Sequence, residues 1–274
     1  MSIYKDKVAI ITGAGSGIGW ALAEELARRG AHVVISDVNT ERIEKVGESI
    51  KKAGNKVTVL TVNVSDFEAV KKMVEVTMAE HGRLDYIFNN AGIAVGGEAR
   101  DFSIDDWRSV IEINLYGIVN GVAAAYPIML RQGSGHIINI GSIEGLIPIP
   151  GAISYVASKY GIVGLSNALR VEAADLGVNV SVVCPGYIET PIFYESKVVN
   201  VDREKVLELI TRRQGLSPEE CASEILRGVE RNKATIIVTK FAKFLYLLQR
   251  TSPGLVLWLG KLYGRRLRKA RLKD

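Results

Sequence analysis

Cysteine and histidine are scarce in this chain of 274 residues, and their scarcity excludes several chemistries. There are two cysteines, Cys184 in an apolar strand pattern and Cys221 in a helical one. Without a secretory context they are expected as reduced, unpaired thiols rather than a disulfide. The three histidines, His32, His81 and His136, are spread too widely to form a ligand cluster, so no metal is expected. The opening Met1-Ser2-Ile3-Tyr4-Lys5-Asp6-Lys7 carries no long apolar stretch and runs straight into a strand pattern, which predicts retention in the cytoplasm. No repeat, linker or low-complexity stretch divides the body of the chain.

Apolar residues are plentiful, at 47%, enough for a sizeable core. Short β-branched runs recur at Val8–Ile11, His32–Ser36, Val57–Thr61, Leu84–Phe88, His136–Ile140, Asn179–Cys184 and Thr235–Val238. Their near-continuous hydrophobicity suits parallel strands covered on both faces, and the segments between them have room for crossover helices. The pattern predicts an α/β fold: a doubly wound, Rossmann-type sheet of seven parallel strands with helices on both faces. Residues 1–239 would form this single domain and residues 240–274 a C-terminal helical extension. The net charge of +5 is uneven, because residues 240–274 hold ten Lys/Arg against one Asp, while the rest holds 25 basic and 29 acidic residues. The body is slightly acidic, and the basicity sits in the tail.

Between the first strand and the helix after it runs Thr12-Gly13-Ala14-Gly15-Ser16-Gly17-Ile18-Gly19. Glycines let backbone approach a pyrophosphate, and the following helix N-terminus presents free N–H groups to the anion. Asp37 closes the second strand, where a carboxylate can accept ribose hydroxyls and would repel a 2′-phosphate. Val38 after it and Ser16 before Gly17 supply no basic partner for such a phosphate, so NAD is expected over NADP. Tyr155 and Lys159 lie one helical turn apart, on one helix face. A free tyrosine has a pKa near 10, and a neighbouring ammonium stabilises its phenolate, which suits Tyr155 as acid/base with Lys159 depressing its pKa. Ser142 falls in the loop after the fifth strand, thirteen residues before Tyr155.

The ordered set Thr12 to Gly19, Asn89-Asn90-Ala91-Gly92, Asn114, Ser142, Tyr155-x-x-x-Lys159, Pro185-Gly186 and Thr190 resembles the short-chain dehydrogenase/reductase family over about residues 5 to 238. The glycine spacing is the wide form used there. The resemblance implies that Asn114, Ser142, Tyr155 and Lys159 are catalytic, with Lys159 also holding the nicotinamide ribose and Asn114 anchoring a proton-relaying water. It implies cofactor contacts from Asn63-Val64, Asn90, Ala91, Gly92, Pro185, Gly186, Ile188 and Thr190. Asn63 stands where the family usually has Asp, so a weakened adenine contact is expected. It also implies a homodimer or homotetramer through the helices bearing Asn114 and Tyr155, with Ala157, Gly161 and Gly164 permitting close approach.

The implied activity is hydride transfer between a secondary alcohol or ketone and NAD. Substrate walls are expected at Ile93–Glu98, Ile143–Pro150 and Tyr187–Val201, with Ser142, Glu144, Tyr155 and Tyr187 touching substrate. Their apolar content favours a hydrophobic, lipid-, acyl- or steroid-like substrate over a sugar. The rival reading is a membrane-associated dinucleotide sensor or scaffold without turnover, which would have no use for the tetrad.

Phe241, Phe244, Leu245 and Leu248 mark a helix face that ends at Thr251-Ser252-Pro253-Gly254. Leu255 to Leu259 then lead into a basic end at Arg265, Arg266, Arg268, Lys269, Arg271 and Lys273. These runs are too short to span a bilayer, and Arg250 and Pro253 interrupt them. Two readings compete. A monotopic hairpin on an anionic membrane surface is favoured, which would make the protein peripheral there. The alternative is a tail that covers its own active site or pairs with another subunit, its basic end merely solvated. With no aromatics among the arginines, nucleic acid is not an expected partner.

Overall fold

A computed structural model of the chain describes residues 2–211 and 214–272, so Lys273 of the basic end lies outside the described residues. The strands are β1 (Val8–Thr12), β2 (His32–Asp37), β3 (Val57–Thr61), β4 (Tyr86–Asn89), β5 (Val95–Gly96), β6 (Gly135–Ile140), β7 (Val178–Pro185), β8 (Lys197–Val198) and β9 (Thr235–Val238). The helices are α1 (Gly17–Arg28), α2 (Thr40–Lys52), α3 (Phe67–His81), α4 (Ile104–Ile111), α5 (Gly117–Gln132), α6 (Ile153–Glu172), α7 (Ile192–Glu195), α8 (Arg203–Thr211), α9 (Pro218–Glu230), α10 (Lys240–Thr251) and α11 (Pro253–Leu267).

Seven strands form one parallel sheet in the order β3-β2-β1-β4-β6-β7-β9, the doubly wound arrangement expected. Alternation along β1 feeds two cores. Ala9 and Ile11 pack with Leu22 and Leu26 of α1, Ile43 and Ile50 of α2 and Ile225 of α9. Val8 and Ile10 pack on the other face with Val70 and Met73 of α3, Ala125 and Met129 of α5 and Leu169 of α6. Strand order reverses between β1 and β4, so the loops leaving these two strands border one crevice, where open α/β sheets bind ligands.

β4 begins at Tyr86, two residues later than its apolar run suggests. The cause is Asp85, whose carboxylate accepts the Val8 N–H at 3.0 Å and the Arg83 guanidinium, so its neighbourhood serves as a clamp. α4, a π-helical turn (Glu112–Tyr116) and α5 run on as one helix, Ile104–Gln132. It is the one helix among the described residues long and apolar enough to cross a membrane, and here α5 packs on β4, β6 and α3.

α10 and α11 form a hairpin hinged at Ser252, with Pro253 at the first helical position of α11, where its missing N–H costs nothing. Ala242 and Val256 bury against Ile143 and Ile147 in a core cluster of their own, with Leu245, Tyr246 and Leu248 around it. The tail therefore covers the loop after β6. Its end is not merely solvated, as one reading had it: Arg268 pairs with Glu98 at 2.7 Å and Arg271 with Asp101 at 3.0 Å. The Leu272 N–H also donates to the Asn200 carbonyl at 3.1 Å.

Candidate active site

The glycine turn leaves β1 and opens α1 at the crevice. Gly13 and Gly17 have φ of +62° and +55°, the left-handed region that glycine adopts without strain. A Cβ on Gly13 would lie 2.7 Å from the Ala91 Cα, and one on Gly19 would collide with the Gly13 carbonyl oxygen. Thr12 and Asn90, both expected at the cofactor, are bonded to each other's segments. Thr12 Oγ1 accepts the Asn90 N–H at 2.9 Å and the Ala91 N–H at 3.2 Å, and Asn90 Nδ2 donates to the Thr12 and Gly13 carbonyls at 2.9 and 3.1 Å. They pin the turn to the end of β4. Ser16 N-caps α1 without a side-chain cap bond, leaving the helix N-terminus open to an anion. Ile18 is half-buried against the core beside the turn.

Asp37 faces the turn: its Oδ2 accepts the Gly15 N–H at 3.0 Å and its Oδ1 the Asn39 N–H at 2.9 Å. Val38 is 70% exposed, so it lines the approach rather than the core. A basic residue absent from the flanking sequence does reach this place. Arg42 lies beside Asp37 and borders, with Gly15, Ser16, Gly17, Trp20, Lys45 and Pro191, a cleft of about 380 Å³. Its guanidinium is tied bidentately to Glu195 at 2.9 and 2.6 Å. The local signal for Arg42 was its position in the first turn of the helix after Asp37. Asn63 lies beyond the end of β3, and its Oδ1 accepts from the Ser65 N–H and hydroxyl at 3.1 and 2.9 Å. The carbonyl expected for adenine is thus engaged locally. Val64 is buried, and its carbonyl accepts from Asn120 at 2.9 Å.

Asn114 sits on the π-helical turn and is fully buried. Its Oδ1 accepts the Ile93 N–H at 2.8 Å, while its Nδ2 donates to the Ile93 carbonyl at 2.9 Å and to Ser158 Oγ at 3.1 Å. Ser158, which sequence reasoning missed, passes a hydrogen bond to the Tyr155 carbonyl at 2.7 Å. Gly92 fits against this group: a Cβ there would stand 3.2 Å from Asn114 Oδ1 and 3.7 Å from Lys159 Nζ. A buried chain of amides, Asn89 to Asn139 at 2.9 Å and Asn139 to Ser166 at 3.0 Å, ties β4, β6 and α6 together beneath it.

Ser142 starts a single 3-10 turn and accepts the Glu144 N–H at 3.1 Å. Tyr155 is half-buried; burial pushes its phenol above the ordinary range, Glu144 adds to that, and a hydrogen bond from Ser142 opposes it. Lys159 Nζ is 5.2 Å from the centre of the Tyr155 ring and donates to the Ile140 carbonyl at 2.9 Å. Burial pulls Lys159 down to about 8, with Cys184 and Glu144 acting the other way. At Tyr155 the expected depression by Lys159 does not set the direction, which is upward with burial as the largest cause. Cys184 and Cys221 are free and buried, as anticipated.

Toward the substrate side, burial pushes Glu144 up to about 7, with the Lys159 charge opposing. Its Oε2 is enclosed without a hydrogen-bond partner among the described residues. Tyr263 of α11 lies close enough to feel the Glu144 charge, a neighbour that no local sequence signal announces. Tyr187 meets Phe193 edge-on at 5.0 Å. Pro185 is the last residue of β7, the Gly186 N–H donates to the Val238 carbonyl at 3.1 Å, and Ile188 is spent in the core. Thr190 lies against the glycine turn, its methyl 3.2 Å from where a Gly17 Cβ would be. Gly161 accommodates Leu115 of its own chain, whereas Ala157 and Gly164 face outward.

A doubly wound sheet with a glycine turn at its switch point is the frame of a dinucleotide-dependent oxidoreductase. The chain belongs to the short-chain dehydrogenase/reductase family, matching the short chain dehydrogenase pattern over residues 7–198. SadH of Mycobacterium tuberculosis, named only as an oxidoreductase, is 37% identical over 254 residues, 91% of this chain and 92% of its own. Cyclohexanol dehydrogenase of an Acinetobacter species is 42% identical over 195 residues, 70% of this chain and 77% of that one. A solved short-chain dehydrogenase/reductase of Burkholderia phymatum, in complex with NAD, superposes with a TM-score of 0.86 at 28% identity, covering 93% of this chain and 96% of that one.

Proposed function

We propose that this protein is an NAD-dependent alcohol dehydrogenase or ketone reductase acting on a hydrophobic secondary alcohol or ketone of lipid-, acyl- or steroid-like character. The observation that carries the reading is the cluster of Ser142, Tyr155 and Lys159 with Glu144, beneath a wall to which Ile143, Ile147 and Val256 contribute. The named activity of the Acinetobacter relative, on cyclohexanol, agrees with an apolar alcohol.

The residues fit a dinucleotide, since the turn is free of side chains where backbone must come close and Ser16 leaves the α1 N-terminus open. Gly13 to Gly19, Asp37, Gly92, Lys159 and Thr190 would hold it, and when bound its nicotinamide would supply the hydride acceptor or donor. Asp37 favours NAD because a 2′-phosphate would meet its negative charge, while Arg42 is already paired with Glu195.

In the reducing direction Tyr155, kept protonated by burial, gives its proton to the carbonyl oxygen of the substrate. Ser142 keeps its proton and donates a hydrogen bond to the same oxygen as charge develops there. In the oxidising direction Tyr155 accepts the hydroxyl proton, and the Lys159 ammonium compensates the phenolate. Asn114 and Ser158 hold the start of α6 so that Tyr155 keeps its place. A homodimer or homotetramer through α5 and α6 is supported by the exposed α6 side chains Ile153, Tyr160 and Val171 and by Tyr116.

The deciding experiment measures NADH and NADPH binding by fluorescence, then turnover on a panel of hydrophobic alcohols and ketones. Preferential NADH binding with turnover upholds the proposal. Dinucleotide binding with no turnover across the panel transfers the reading to a sensor or scaffold.

A further inference from the structure

The C-terminal hairpin has two unlike sides. Its inner side carries Ala242 and Val256 into the cluster with Ile143 and Ile147, and Leu267 reaches Gly151. Its outer side leaves large apolar groups in water: Phe244 is 58% exposed, Leu247 60%, Leu255 42%, Trp258 54% and Leu259 41%. On α11 the exposed Leu255, Trp258 and Leu259 lie on the same helical stripe as Arg265 and Arg266, because residues three, four and seven apart share a face. Burial cannot be the reason for these groups, since the hairpin buries its opposite stripe.

The charge on this surface has one sign. Residues 240–272 contain no Asp or Glu, and Lys240, Lys261, Arg265, Arg266 and Lys269 make no ion pair among the described residues. Arg268 and Arg271, by contrast, reach back to Glu98 and Asp101 and fasten the hairpin to the body. Of the cations that remain, Arg265 and Arg266 thus share a stripe with an apolar patch on an element that is anchored from behind.

We propose that this outer side is a docking surface for an anionic lipid bilayer, with the hairpin lying in the interface. Helices of 12 and 15 residues are too short to cross the hydrocarbon, whose thickness calls for about 20 residues. An aromatic and aliphatic patch with a cationic rim is the pattern that binds in the headgroup region, and Trp258 suits that depth. A second copy of the chain fits less well. A two-fold interface sets each patch against itself, and would bring lysines and arginines against their own kind with no acidic residue of the hairpin to relieve them.

The test is co-sedimentation of the full chain with vesicles of phosphatidylcholine alone or mixed with phosphatidylglycerol, alongside sedimentation velocity without lipid. Pelleting with the mixed vesicles is expected, reduced by high salt and by about tenfold or more in Leu247→Asp/Trp258→Asp. Arg265→Glu/Arg266→Glu should abolish the preference for the anionic vesicles while sparing the apolar patch. Circular dichroism and dinucleotide binding check that both variants remain folded. Failure of the wild type to pellet, or pelleting undiminished in folded variants, overturns the proposal. So does a wild-type oligomer that Leu247→Asp/Trp258→Asp dissociates without changing vesicle binding, since the patch then belongs to a second copy.

Discussion

Lys159 Nζ stands 5.2 Å from the centre of the Tyr155 ring while its proton is donated to the Ile140 carbonyl at 2.9 Å. The ammonium is thus held by main chain on one side and faces the phenol on the other. In the proposed mechanism this separates proton transfer, assigned to Tyr155, from the placing of charge, assigned to Lys159. Tyr155→Phe keeps the ring and its packing and removes the transferable proton. We expect kcat to fall by about 10²–10⁴ while NADH affinity changes by less than about twofold, read by steady-state kinetics and fluorescence titration. Undiminished turnover in this variant would refute the assignment.

Asp37 and Arg42 both stand beside Gly15, with side chains of opposite charge type. Asp37→Ser removes the carboxylate that a 2′-phosphate would meet and leaves the guanidinium nearby. The ratio of NADPH to NADH affinity should rise about tenfold or more, equivalent to about 1.4 kcal/mol. Adding Arg42→Ala should reverse that rise. Titrations with both dinucleotides decide it, and an unmoved ratio in Asp37→Ser argues against the discriminating role of Asp37.

Glu144 carries a pH signature. Its folded pKa is raised from 4.5 to about 7 by burial, so the folded protein binds a proton that the unfolded chain has released. Its favourable contribution is complete below about 4.5 and is lost as pH rises through about 7. Glu144→Gln lacks this titration. Between pH 5 and 8 the wild type should lose stability relative to the variant, on the order of 3 kcal/mol at most. Denaturant melts at the two pH values measure it; a difference that stays constant with pH contradicts the burial of this carboxyl.

Val256 is the side chain of α11 most deeply placed in the shared cluster, at 6% exposure. Val256→Asp would put an unpaired charge against Ile143 and Ile147, at a cost of several kcal/mol, more than the hairpin's own contacts offset. The hairpin should detach while the sheet remains folded. KM for a hydrophobic substrate should then rise tenfold or more with NADH binding unchanged, because the glycine turn lies away from this contact. Limited proteolysis of the tail reports the detachment. An unchanged KM with a released tail would show that the hairpin is no part of the substrate wall.

Much of the frame was legible because its signals are local. Each of the seven apolar runs became a strand, since a strand covered on both faces must be apolar throughout. Val57–Thr61 and Thr235–Val238 match to the residue, and β4 shifted because Asp85 and Arg83 form a clamp that no periodicity shows. The glycine positions were legible too, as positive φ and close backbone contact demand them. For Thr12 and Asn90 the sequence showed their place but not the hydrogen bonds that pin the turn to the end of β4. Their spacing placed them at the crevice, and the bonds that fix the turn there run across the sheet, beyond any local pattern.

What the amino-acid sequence by itself determined here is the order of strands and helices, the glycine turn and the Tyr155–Lys159 pair on one helix. Each of these rests on periodicity, backbone freedom or one helical turn, all of them short-range. Tertiary structure alone decided that Arg42 stands beside Asp37, that Ser158 links Asn114 to Tyr155, and that burial governs the ionisation of Tyr155, Lys159 and Glu144. It also decided that the hairpin folds back over Ile143 and Ile147 with its cations divided between the body and solvent. Burial and charge pairing depend on which distant segments meet, and that is settled only when the sheet and its two cores assemble.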